Sequence, residues 1–218
     1  MDPGEWKPAS DSIEKLNLPG YHLVSRADRL TGAKRGYGGV VIFERDGLNM
    51  LVHLESSSEA ERVWAVLHTD VGPFLLGNWY RPPDAPWSQT ESLSSELTRL
   101  ADDYVGVILV GDMNVHHARW LRHSNGNTAL GATLWDICQN HGLVQCVREA
   151  TRGEYLPELV LTDLVSMTKT KVLPQIADHS IVGVDLAIPA PSPSSCSKKG
   201  LELSPRGLEG AAECVPRL

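Results

Sequence analysis

A chain of 218 residues is long enough for one domain with a substantial core and too short for two full ones. Its apolar content of 42% suits a globular protein, and no apolar run reaches bilayer-spanning length, so a membrane-embedded protein is excluded. Against 27 acidic residues stand 20 basic ones, a formal charge of −7 that argues against broad polyanion binding; a nucleic-acid contact would need a local basic patch or a bridging cation.

The N-terminal stretch MDPGEWKPASDSIEKLNLPG has no basic region followed by an apolar one, so no secretory signal is expected and the chain is read as intracellular, with a nuclear location open to it. Cys138, Cys146, Cys196 and Cys214 lack zinc-ligand spacing and are expected to be reduced thiols. Residues 1–18 are polar and rich in turn formers, and 19–188 carry the pattern of a packed domain. Residues 189–218, rich in Pro, Ser and Gly, cannot offset their own ordering entropy and are expected to form a disordered tail.

Within the domain, the pattern predicts strands over Val40–Glu44 and Met50–Leu54, joined as a hairpin at Asp46-Gly47. A second hairpin is expected from Arg62–Thr69 and Phe74–Tyr80 around Asp70-Val71-Gly72-Pro73, ended by Arg81-Pro82-Pro83 because proline offers no ladder donor. Leu93, Leu97 and Leu100 recur at helical spacing, which predicts a helix over Ser88–Ala101 with Ser88 and Glu91 as a capping box. A strand over Val105–Val110 follows, then a helix over Ala129–Asn140 closed by His141-Gly142, then short strands at Leu143–Val147, Leu159–Thr162 and Ser180–Ile188. Trp64, Trp79 and Trp135 fall within apolar patterns and are expected in the core. Hairpins first and alternating helices and strands later give an α/β class with a mixed sheet system, two sheets face to face and helices outside.

The chemistry concentrates where the buried run ILVGDMNVHH ends. Asp112 and Asn114 lie two apart on an extended segment and are expected to project to one side, where they could hold a water and a hard, oxygen-seeking cation such as Mg2+. The same pair also serves as a strand end and turn start, so by itself it decides little. Asp178-His179 stands at the edge of the apolar strand SIVGVDLAI; the carboxylate can bind a cation or orient a partner, and the imidazole can supply a proton or stabilise negative charge. Glu158, before LVL, could fix the tautomer of an imidazole. His116 and His117, adjacent on an extended segment, face opposite ways and do not read as a metal pair; His117 is expected to be hydrogen-bonded near Trp120. Lys34-Arg35, Arg119 and Arg122 are loop cations able to touch a nucleic-acid backbone.

GDMN followed by His and Trp, then SNGNTALGATLWDICQNHGL, PELVLTDL and ADHSIV, with LPGYHLVSRADR, GYGGVVIF and NWYRPP upstream, resemble in order the endonuclease/exonuclease/phosphatase superfamily, and within it the endonuclease domains of non-LTR retrotransposons, over roughly residues 5–188. The resemblance implies an α/β/β/α four-layer sandwich of two mixed sheets flanked by helices, lacking its first strands and so leaving sheet edges unpaired. It implies Mg2+-dependent hydrolysis, with Mn2+ as a substitute, of DNA phosphodiester bonds by a monomer. By the same resemblance Asp112 orients or deprotonates the attacking water, Asn114 helps place it, and His179 contacts a non-bridging phosphate oxygen. Glu158 replaces an aspartate paired with that histidine, its extra methylene expected to tilt the ring; Tyr80 contacts the phosphate from the rim, and Asp178 and Glu5 are metal ligands. Ala150-Thr151-Arg152 stands where the family has Pro-Thr before an arginine region. Two other readings accompany nicking: an inactive remnant serving as a binding module, and a phosphomonoesterase or phospholipid phosphatase.

Overall fold

The computed structural model describes residues 18–29, 38–56 and 59–188. Most of the expected N-terminal segment, including Glu5, the pair Lys34-Arg35, and the tail 189–218 with Cys196 and Cys214 lie outside the described residues. A six-stranded mixed sheet organises the rest. Its strands are β3 (Leu51–Leu54), β4 (Arg62–Thr69), β5 (Gly72–Trp79), β6 (Val107–Asp112), β7 (Val144–Gln145) and β8 (Glu158–Thr162), in the spatial order β3-β4-β5-β6-β8-β7. Only β5 and β6 run parallel, so they need a crossover, which α1 (Trp87–Leu100) supplies; every other neighbour pairs antiparallel. The second helix, α2 (Ala129–Asn140), follows β6 after a long loop.

A second β layer lies on one face as two antiparallel ribbons, β1 (Tyr21–Asp28) with β2 (Gly39–Arg45), and β9 (Thr168–Ile176) with β10 (His179–Leu186). Alternation along β4 sorts the faces. Val63 and Ala65 join a buried cluster with Val40 and Ile42 of β2, whereas Trp64 between them donates its indole N–H to Glu96 of α1 at 2.8 Å. The helix-side core combines Trp64, Leu75, Trp79 and Leu109 with Leu93 and Leu97 of α1 and Leu134 and Ile137 of α2. The α/β class with a central mixed sheet and helices is as expected; among the described residues the second β layer is two antiparallel ribbons rather than a mixed sheet, and α1 and α2 pack against each other. No helix among the described residues is long and apolar enough to cross a membrane.

The Arg62-Phe74 hairpin and α2 form as expected, and α2 is capped by the Thr128 hydroxyl, which accepts the Gly131 N–H at 3.0 Å. Four expectations need correction. The hairpin between Val40–Glu44 and Met50–Leu54 does not form: β2 pairs with β1 and β3 with β4. The buried Glu44 carboxylate accepts the backbone N–H groups of Met50 (2.6 Å) and Leu51 (3.1 Å), so a side chain takes donors a ladder would have used, and the chain turns from one layer to the other. The capping box at Ser88 is absent because α1 starts at Trp87, where the Pro86 carbonyl accepts the Gln89 N–H and puts Ser88 inside the first turn. Trp135 is 37% exposed on α2 and lies against Trp120 with ring centroids 5.5 Å apart, so it covers the core edge rather than filling it. The strand expected over Val105–Val110 runs two residues later, which brings Asp112 into the ladder.

One buried ion pair ties the sheet to α1. Arg62, fully buried, donates Nε–H to Glu96 Oε2 at 2.8 Å and lies 4.9 Å from the Trp79 ring centroid. Ser56 and Trp64 also donate to the Glu96 carboxylate, at 2.6 and 2.8 Å. Burial alone would raise the Glu96 pKa, but the Arg62 charge and the hydrogen bonds from Ser56, Trp64 and Arg62 outweigh it and hold the group below its ordinary value. Breaking such a pair strands the remaining charge, so Glu96→Gln is expected to lose about 3–5 kcal/mol in urea unfolding near neutral pH. Because the folded pKa is depressed, Glu96 stabilises the parent above the ordinary carboxylate value of 4.5 and loses that effect as pH falls through the folded value. The gap between parent and variant should therefore narrow below pH 4.5; a constant gap would contradict the assignment.

Candidate active site

The site grows from the end of β6. Gly111 has φ +142°, and a Cβ there would lie 1.9 Å from the Trp79 carbonyl oxygen, so only glycine lets β6 pass β5 this closely before Asp112. Asp112 closes the ladder directly opposite Glu158, the first residue of β8. In antiparallel pairing, opposed side chains share a face with Cβ atoms roughly 5 Å apart, so two carboxylates are set against each other. His179 opens β10, and its Nδ1 is hydrogen-bonded to Glu158 Oε1. One ligand atom each from Asp112, Glu158 and His179 lie within 4.8 Å of one another, and all three residues are half-buried. The longer Glu158 side chain reaches the imidazole. Its second oxygen, Oε2, is buried with no hydrogen-bond partner.

Electrostatics follow from this placement. Burial raises the Asp112 pKa and the neighbouring Glu158 charge raises it further, opposed by hydrogen bonds from Asn114 and by the charge of His179. A pocket of about 350 Å³, lined by Glu158 itself and the apolar side chains of Val110, Leu159, Val160, Val182 and Val184, opens beside the cluster. Two facing carboxylates, an orphaned buried oxygen and a neighbouring imidazole form a donor set that fits a hard divalent cation.

The other expected residues take different places. Asn114 does not continue the strand. Its φ is +44°, its backbone N–H donates to Asp112 Oδ1 at 3.1 Å and its amide to the Arg81 carbonyl at 3.0 Å, so it turns the chain and braces the carboxylate. Asp178 stays outside the three-residue cluster. It is exposed, paired with Arg152 at 2.7 Å, and 3.7 Å from His179 Nε2; its own backbone N–H, followed by the charges of His179 and Arg152, holds its pKa below the ordinary value. Tyr80, half-buried, lies beneath the Arg29 guanidinium at 4.7 Å, and Arg29 is itself paired with Glu61. The next residue, Arg81, joins Tyr80 to the site because its backbone N–H donates to the Asp112 carbonyl at 2.8 Å. His117 neighbours Trp120 with ring centroids 6.4 Å apart, and its carbonyl accepts the Trp120 N–H at 3.3 Å as expected, while its ring Nδ1 is buried without a hydrogen-bond partner.

Sequence reasoning passed over two supporting residues. Arg81 is 1% exposed and donates to the carbonyls of Asn114 and Ala85 at 3.3 and 3.4 Å; a lone arginine before two prolines reads only as a strand end. Gly111 was visible as the glycine of GDMN, yet its close approach to β5 depends on sheet order, which one sequence does not disclose.

Helices over a mixed sheet, a second β layer and this carboxylate–imidazole cluster at the strand ends define the endonuclease/exonuclease/phosphatase superfamily fold. Within it, the chain belongs to the endonuclease-reverse transcriptase family, whose profile matches residues 74–182. Among solved structures, the chain is similar to the endonuclease domain of TRAS1, a telomere-specific non-LTR retrotransposon, at 15% identity and a TM-score of 0.63, over 78% of this chain and 80% of that one. It is also similar to an AP endonuclease from Archaeoglobus fulgidus, at 15% identity and a TM-score of 0.57 over 85% and 87% of the two chains. A third similar structure is the 3' phosphatase NExo from Neisseria bound to product DNA hairpin, at 15% identity and a TM-score of 0.52 over 84% and 86%. No curated protein sequence matches. At these identities the likeness speaks for the fold.

Gly111→Ala tests the packing that delivers Asp112. The added methyl collides with backbone rather than with a flexible side chain, so a loss at or above the upper end of the roughly 1–3 kcal/mol of overpacking is expected in thermal unfolding. An unchanged midpoint would show that β6 can slide away from β5.

Proposed function

We propose that this domain nicks DNA by hydrolysing phosphodiester bonds with Mg2+, for which Mn2+ substitutes. The observation that carries the reading is the Asp112–Glu158–His179 cluster with the unpartnered Glu158 Oε2 beside it. Asp112 and Glu158 would hold the cation, which when bound supplies Lewis-acid neutralisation of the phosphate charge. Asp112, opposite Glu158 at the end of β6, is placed to orient the attacking water and accept its proton. Asn114 braces that carboxylate. Glu158 Oε1 takes the Nδ1–H of His179 and leaves Nε2, 3.7 Å from Asp178 Oδ2, to donate to a non-bridging phosphate oxygen as negative charge develops. The water oxygen bonds to phosphorus as the bond from phosphorus to one sugar oxygen breaks; the water proton passes to Asp112, and the leaving oxygen takes one from solvent. Tyr80 would meet the phosphate from the rim.

The names of the similar structures, an endonuclease domain, an AP endonuclease and a phosphatase bound to product DNA hairpin, support DNA as the substrate. The last of these names also supports a second reading, phosphomonoester hydrolysis at a DNA 3' end by the same residues. Supercoiled plasmid incubated with Mg2+ should be nicked, and EDTA should stop it. His179→Ala should slow nicking on the order of a hundredfold while circular dichroism stays unchanged. An Asp112→Asn protein that nicks as fast as the parent would overturn this mechanism, and release of phosphate from 3'-phosphorylated oligonucleotides without plasmid nicking would select the second reading.

A further inference from the structure

The loop that leaves the site is unlike the rest of the chain in charge. From Met113 to Thr128 there is no acidic residue, while Arg119, Arg122, His116, His117 and His123 fall within it, in a chain of net charge −7. Arg119 and Arg122 are exposed. The loop is laced to itself: the His116 carbonyl accepts the Thr128 N–H at 2.8 Å, and the Ala118 N–H donates to Asn127 Oδ1 at 2.9 Å. Against it stands Tyr155, whose ring packs edge-on with His116, centroids 5.7 Å apart and planes at 83°, and whose hydroxyl accepts the Asn125 amide N–H at 3.2 Å. The ring is thus held by two loop residues yet remains 41% exposed.

The backbone ties Tyr155 to the catalytic pair on both sides. It closes a tight turn in which its carbonyl accepts the N–H groups of Thr151 (2.8 Å) and Arg152 (3.1 Å), and Glu158 follows three residues later. The Thr151 carbonyl accepts the Ser180 N–H at 2.7 Å, one residue from His179, and Arg152 pairs with Asp178 on the other side of that histidine. A partly exposed aromatic ring whose turn is tied by backbone to the segments carrying Glu158 and His179, and which packs on an acid-free cationic loop, matches what an unpaired nucleic-acid strand needs: a stacking surface for the base and cations for the following phosphates.

We propose that Tyr155 is the stacking platform for one unpaired base of the DNA strand next to the scissile phosphate, with Arg119 and Arg122 carrying the adjoining backbone, so that the domain favours single-stranded or locally unpaired DNA. This rests on the nuclease reading above. Stacking on Tyr155 depends on the ring and not on the hydroxyl, so phenylalanine should replace it and alanine should not.

The test is made in the Asp112→Asn background with EDTA, so that binding is read without cleavage. The probe is a thymidine-rich single strand carrying one 2-aminopurine, whose fluorescence falls when it stacks. Adding Tyr155→Phe should preserve both quenching and affinity; adding Tyr155→Ala should abolish quenching and weaken binding about tenfold. Removing both arginines, as Arg119→Ala with Arg122→Ala, should flatten the dependence of log affinity on log salt by about 0.7 per lost phosphate contact. Equal quenching and affinity for the alanine protein at position 155, with unchanged circular dichroism, would overturn the platform. If plasmid nicking by the otherwise unaltered chain persists in that case, the nuclease reading stands without it; if the chain neither binds the probe nor nicks plasmid, both fall.

Discussion

The pairing of Asp112 with Glu158 across β6 and β8 is the constraint on which the site depends. Like charges opposite one another weaken a ladder, so a chain that keeps two carboxylates there, half-buried and next to an apolar cavity, carries a local cost that a bound cation would relieve. Register makes the arrangement unforgiving. A slip of one residue would turn Asp112 to the helix side and substitute Gly111 opposite Glu158. The flanking contacts hold that register: the Met113 N–H to the Pro157 carbonyl at 3.0 Å, the Arg81 N–H to the Asp112 carbonyl at 2.8 Å, and the side-chain-free passage of Gly111 over Trp79.

Behind the site, the sheet is braced by the helix layer. The Arg62–Glu96 pair and the Trp64 indole join β4 to α1 within the buried helix-side core, and Trp79 under the Arg62 guanidinium lies in the strand that shapes the Gly111 passage. Support from the other face comes through β10, whose Val182 and Val184 pack on the core while its first residue, His179, reaches Glu158. The imidazole is therefore oriented by two independent elements, β8 through the carboxylate and β10 through the backbone. Its neighbours Thr151 and Arg152 add a third connection through Ser180 and Asp178.

Much of this was legible in the residues. Regular leucine spacing marked α1, the run from Ala129 to Asn140 marked α2, and apolar stretches marked the strands of the large sheet, because each of those elements buries a defined face. The resemblance paired Glu158 with His179, and the structure brings the two together. What stayed hidden depended on pairing. β1 carries a bulge between Leu23 and Ser25, and β9, TKTKVLPQI, is polar and largely exposed, so neither shows the alternation of a half-buried strand. The Asp46-Gly47 turn suggested a hairpin, yet the choice of partner strand was decided by the Glu44 side chain and by the hydrophobic cluster beneath β2. Asn114 misled for a similar reason: alternation holds only while a strand continues, and asparagine readily takes the left-handed conformation that ends it.

In physical terms, a mixed sheet delivers two acids to one point and a ribbon adds an imidazole. Diffraction from crystals of the protein soaked in Mn2+, recorded near the manganese absorption edge, tests this most directly. An anomalous peak between the Asp112 and Glu158 carboxylates, beside His179, is the predicted result; full side-chain density with no peak there, or manganese bound only at other surface acids, would contradict it.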